Sequence, residues 1–142
     1  MGVFGTTLDF PISPVPARVC VVAEWRNDCN DSRVARHDIE VVQHDTTRVR
    51  IDAITRSDGS PLNIYAFQSL VWTVSLGRRG PILFQATKSG MIFSSVSRAY
   101  FQLSLGIFSR TYYHELRGTN AGGASQTMAA GNLRLANTRI GD

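Results

Sequence analysis

The chain has 142 residues, enough for one domain that buries about two thirds of its unfolded surface without covalent or metal staples. A hydrophobic content of 43% with 18% charged residues excludes a wholly disordered chain. The net charge is +4, and 14 of the 15 cations are arginine, spread from Arg18 and Arg33 through Arg48, Arg78, Arg98 and Arg117 to Arg134. That scatter argues against sequence-specific nucleic-acid binding, which wants cations on one element, and suits protein interfaces, where a planar guanidinium is pre-organised. No apolar run approaches the ~20 residues that cross a bilayer, and no basic segment followed by an apolar one opens the chain. No membrane partner is expected, and synthesis in the cytoplasm is. Cys20 and Cys29, nine residues apart, are then expected as free thiols, with a disulfide the lesser alternative.

Residues 1–16 contain Pro11, Pro14 and Pro16, which forbid a helix and cannot donate in a central ladder. They read as an extended arm. Val3, Phe4, Leu8, Phe10, Ile12 and Val15 make it too apolar for a solvated tail. Two readings stay open: the arm packs on its own domain, or it docks on a neighbouring subunit. Residues 18–25 read as a strand, Asn27 to Asp31 as a loop, 32–37 as one helical turn and 39–42 as a short strand. A division near residue 45 separates this arm with its accessory strands (1–45) from the main sandwich (46–142).

In 47–55, Val49, Ile51 and Ala53 alternate with Arg48, Arg50 and Asp52, the period of two that turns apolar side chains to one face of a sheet. Asp58-Gly59-Ser60-Pro61 is a turn, and the following strand alternates Leu70, Trp72, Val74 and Leu76 with Val71, Thr73 and Ser75. Gly77 to Pro81, with Arg78 and Arg79 at its tip, turns the chain into a hairpin partner in which Ile82, Phe84 and Ala86 face one way. Lys88-Ser89-Gly90 turns it again, and Met91 to Phe93 is short. Phe101, Leu103 and Leu105 then alternate with Tyr100, Gln102 and Ser104. Strand 111–117 sends Tyr112 and Tyr113 to opposite faces, one to the core and one towards solvent or an interface. A glycine-rich loop at 118–125 leads to a last strand with Leu133 and Leu135. The pattern is all-β and antiparallel, with strands at sandwich spacing.

No catalytic constellation assembles from the spacing. Cys20, Cys29, His37, Asp38, His44 and Asp45 lack the close ligand pairs of structural zinc, and no metal or cofactor is expected. His114 and Glu115 are adjacent in a strand and point apart, so they do not form an acid–base pair. Ser94, Ser95 and Ser97 lie near no nucleophile motif, and Gly118 to Gly131 lacks the lysine of a phosphate loop. The protein is not expected to be an enzyme.

The order of several motifs carries a resemblance. Asp58-Gly59-Ser60-Pro61-Leu62-Asn63, Val71-Trp72-Thr73-Val74, Ile82 to Thr87, Ser89 to Ile92, Thr111 to Leu116 and Gly131-Asn132-Leu133-Arg134-Leu135 follow one another as in the immunoglobulin-like modules of tailed-bacteriophage structural proteins. Such modules include the N-terminal domain of baseplate upper proteins and related tail- or head-fibre adaptors. The first 45 residues have no counterpart, and Gly106 to Arg110 replaces a polar step before the tyrosine strand. The resemblance implies an antiparallel immunoglobulin-like β-sandwich carrying an extended N-terminal arm. It also implies a virion adaptor in the tail, baseplate or head-fibre region that self-associates and contacts other virion structural proteins. Phe4, Leu8, Phe10 and Ile12 of the arm, Arg78 and Arg79 at the loop tip, and Tyr113 are the expected assembly contacts. The alternative is a carbohydrate- or surface-binding sandwich, which requires Trp25, Tyr65 and Tyr113 to share one surface.

Overall fold

A computed structural model describes residues 17–28 and 31–137. The described residues form nine strands: β1 (Ala17–Trp25), β2 (Ile39–Val42), β3 (Thr47–Thr55), β4 (Ser69–Ser75), β5 (Ile82–Thr87), β6 (Ile92–Ser95), β7 (Arg98–Leu103), β8 (Thr111–Thr119) and β9 (Ser125–Ala136). They build two sheets, one in the order β1-β3-β7-β6 and the other β2-β9-β8-β4-β5. The inward rows face each other as a sandwich of immunoglobulin-like architecture. The core takes Val21 and Ala23 from β1, Val49 and Ile51 from β3, Phe101 and Leu103 from β7, Leu70, Trp72 and Val74 from β4, and Leu116, Leu133 and Leu135 from β8 and β9. Trp72 lies at its centre, fully buried, with its ring 5.2 Å from Phe101 of the opposite sheet and 6.0 Å from Phe84.

Most pairings are antiparallel, but β1 pairs with β3 and β2 with β9 in parallel. Alternation identifies the buried face of a strand and not its neighbour, so these two pairs are invisible in the sequence. They are possible because the chain crosses between sheets: β1 and β3 share one sheet while β2, between them in sequence, joins the other. The division drawn near residue 45 thus falls between β2 and β3, and β1 pairs with β3 along its whole length, from Ala17 opposite Thr47 to Trp25 opposite Thr55. A reciprocal amide clamp closes that side. Arg26 N donates to Gln126 Oε1 at 2.9 Å, and Gln126 Nε2 donates back to the Arg26 carbonyl at 2.8 Å.

Three local expectations are corrected. Residues 32–37 form no helical turn; they run extended beside β9, with His37 N donating to the Ala130 carbonyl and Ala130 N to that of Ala35, both at 2.9 Å. Gly131 permits this approach, since a Cβ there would overlap the backbone carbonyl of His37. Leu76 does not continue the buried row of β4. Strand β4 ends at Ser75, which keeps to the outer row with Thr73 and is covered there, donating its hydroxyl to the Gly77 carbonyl at 2.7 Å, and Leu76 lies beyond the strand, exposed. The loop expected at 118–125 shrinks to Asn120–Ala124, because Gly118 and Thr119 complete β8. Asn120 Oδ1 accepts from Ala124 N at 2.9 Å across that turn.

Candidate interaction surfaces

Two surfaces draw on residues that the strands aim away from the core. The first is the outer face of the five-stranded sheet. Outward side chains of β4 and β8 and the β4–β5 turn enclose a groove of about 390 Å³, lined among others by Thr73, Arg78, Arg79, Tyr113, Glu115 and Arg117. The structure therefore brings together three of the expected contacts, Arg78, Arg79 and Tyr113. The Arg78 guanidinium lies 5.8 Å from the Tyr113 ring centroid, and the Tyr113 hydroxyl donates to Glu115 Oε1 at 3.1 Å. Partial burial, and then the nearby Glu115 carboxylate, push the Tyr113 hydroxyl above the ordinary tyrosine pKa, so it remains a donor at neutral pH. Among the described residues Arg78 and Arg79 make no salt bridge, whereas Arg56, Arg98 and Arg134 each hold a carboxylate. The groove offers unpaired guanidinium groups and hydroxyls to an acidic partner. Phe4, Leu8, Phe10 and Ile12 lie outside the described residues.

Directly beneath this face is His114. Its alternation with Tyr113 and Glu115 turns the ring inward, where it is fully buried. Trp72 Nε1 donates to its Nδ1 at 3.3 Å, which leaves the proton on Nε2, and Nε2 donates to the His37 carbonyl at 2.6 Å. Desolvation holds its pKa below the ordinary histidine value, so the ring is neutral. It ties Trp72 to the segment before β2 and faces away from the groove. Among the remaining ligand-type residues, Asp38 Oδ1 accepts from Asn132 N at 2.9 Å and pairs with Arg36 at 3.3 Å, and Cys20 is an exposed free thiol on β1. Cys29 lies outside the described residues. No group of three or more metal-ligating side chains gathers among the described residues.

The second surface is the lateral seam between the sheets, where edge strand β5 faces β6 and β7. It measures about 630 Å³ and is lined by Phe84, Ala86, Ile92 and Phe101, with Arg48 and Gln102 at its outer lip. Within it Ile92 is 58% exposed, while Ile82, 59% exposed at the start of β5, lines the arginine groove instead. Sequence reasoning did not single out this seam. The consecutive apolar pair Ile82-Leu83 breaks alternation on the same edge strand, but neither side chain lines the seam.

Trp25, Tyr65 and Tyr113 have separate partners. Trp25 meets Phe67 edge-on at 5.4 Å, Tyr65 meets Phe93 at 5.2 Å, and Tyr113 lies under Arg78.

No family model and no curated protein matches the chain. Among solved structures it is similar to the fibronectin(III)-like modules of Clostridium thermocellum CbhA, at 5% identity over 75% of this chain and 93% of that one, with a TM-score of 0.40. A multicopper oxidase shows 9% identity over 87% of this chain and 45% of its own, with a TM-score of 0.45. The laccase from Botrytis aclada shows 14% identity over 82% of this chain and 22% of its own, with a TM-score of 0.33. The chain thus spans less than half of either oxidase. These likenesses concern the β-sandwich alone.

Proposed function

We propose that this protein is a structural adaptor, an immunoglobulin-like module that joins copies of itself to one another and to neighbouring proteins of a phage-like particle. The observation that carries this reading is the pair of sheet edges flanking the seam, β5 and β6, which no further described strand covers, with Ile92 exposed in the seam and Ile82 and Leu83 exposed at the start of β5. Soluble monomers protect such edges with charge, proline or a covering segment, because an unpaired apolar edge recruits another chain. The arginine-lined groove on the outer sheet supplies a second, polar contact of the kind found at interface rims. The ordered motifs from residue 49 to 135 supply the particle assignment through their resemblance to tailed-phage modules. Site and motif together favour assembly over catalysis.

Sedimentation velocity of the full chain over a wide concentration range tests the reading. A defined oligomer is expected. A monomer at every concentration that also fails to co-purify with particle proteins expressed beside it contradicts it.

A further inference from the structure

We infer that the seam between β5 and β7 receives residues Leu8–Ile12 from the arm of a second copy, laid as an added strand along the free edge of β7. The inference rests on the assembly reading above and specifies its contact. Edge geometry is the first observation. β6 pairs with β7 only through Arg98, Ala99 and Tyr100, so among the described strands Phe101 to Leu103 have no neighbour on that side, and β5 ends its own sheet. An extended segment placed there gains ladder hydrogen bonds and covers the exposed apolar edge.

Side-chain chemistry is the second. In Leu8-Asp9-Phe10-Pro11-Ile12 the apolar residues alternate, so as a strand they present Leu8, Phe10 and Ile12 to Phe84, Ala86 and Phe101 in the seam. The opposite face carries Asp9 and Pro11. Backbone N–H directions alternate as well, so a strand that bonds β7 through Leu8, Phe10 and Ile12 loses nothing at Pro11.

The third observation is Arg48. Its guanidinium lies 4.7 Å from the Tyr100 ring centroid at the lip of the seam, and its Nε is buried with no hydrogen-bond partner among the described residues. A buried cationic donor without an acceptor is costly, and a carboxylate satisfies it best. Asp9 is the sole carboxylate among residues 1–16, and the alternation places it on the Arg48 side.

A second copy is the source because β1, which the arm precedes, lies at the opposite edge of the sheet. The added strand is three strand spacings away, about 14 Å in a straight line through β3 and β7. The five residues from Ile12 to Ala17, with Pro14 and Pro16 among them, span at most about 18 Å. That leaves about 4 Å for the detour around the ends of β3 and β7, which favours an arm from a second copy.

The test places single cysteines in full-length chains whose Cys20 and Cys29 are serine: Phe10→Cys in one chain, Ile92→Cys in another, both in a third. Circular dichroism checks that each is folded, and a short bifunctional thiol reagent reports proximity. A covalent dimer from mixing the two single variants is the expected result. Alongside it, Asp9→Arg weakens self-association at least tenfold, and adding Arg48→Asp restores it. Cross-linking confined to single molecules of the double variant overturns the second-copy assignment. An intact oligomer with no cross-link in any sample overturns the seam and leaves the assembly reading standing. No oligomer at all removes both.

Discussion

His114 shows how one buried polar side chain can bind two sheet positions and make stability depend on pH. Its neutral ring accepts from Trp72 and donates to His37, and burial depresses its pKa below the 6.5 of an exposed histidine. The unfolded chain therefore takes up this proton first as pH falls, so the stabilisation is complete above pH 6.5 and is lost below it, towards the lower folded-state value. Thermal melts between about pH 7 and 5 should show a falling midpoint, well above the acid range in which carboxylates protonate. His114→Leu should flatten that slope while costing about 1–3 kcal/mol at neutral pH, because the Trp72 and His37 groups lose their partners. An unchanged slope would assign the acid sensitivity elsewhere. Gly131 is the complementary steric case. Gly131→Ala drives a methyl into the His37 carbonyl and should cost about 1–3 kcal/mol in urea unfolding, with faster amide exchange at His37 and Ala130 as the local sign.

At the scale of elements, strands whose two faces differ were legible in the residue order. Val49, Ile51 and Ala53 in β3, and Phe101 and Leu103 in β7, face the core as their alternation requires, and Tyr112 and Tyr113 divide between core and outer face. What stayed hidden depends on contacts between distant segments. Nothing local marks β1 as the parallel neighbour of β3, and residues 32–37 are held extended by β9 rather than by their own propensity. β9 runs through Ala129, Ala130 and Gly131, residues with little preference for strands, because β8 pairs with it along most of its length. Leu76 falls past the end of β4, where alternation no longer places it, and the extra residue Leu83 interrupts the alternation of β5. Within the candidate site, Arg78, Arg79 and Tyr113 were identified as surface residues by turn chemistry and alternation; their meeting in one groove required the β4–β8 pairing. The edge strands carry their own prediction. Ile82→Lys together with Leu83→Lys should leave unfolding within about 0.5 kcal/mol of wild type, since both side chains are exposed, yet reduce self-association through the β5 edge in sedimentation. A large loss of stability would show instead that these side chains serve the monomer's own core.

For the whole molecule, the charge distribution and the open seam support one account. Arg56 holds Glu24 and Asp31 at 2.6 and 3.0 Å, and Asp52 holds Arg98 at 2.6 Å, so much of the basic surplus is engaged within the domain. Among the described residues Arg78 and Arg79 stay outside such pairs and lie at a groove, while Phe84, Ala86 and Ile92 line the lateral seam. A domain with one polar and one apolar contact face is suited to be a joint between neighbours, and its self-contact should respond to the apolar arm more than to salt. The most direct measurement is sedimentation equilibrium of the full-length chain beside full-length Phe10→Asp, at low and at high salt. The account predicts a defined oligomer for the wild type that persists in salt, and at least tenfold weaker association for the variant. Identical monomers in both samples would contradict it.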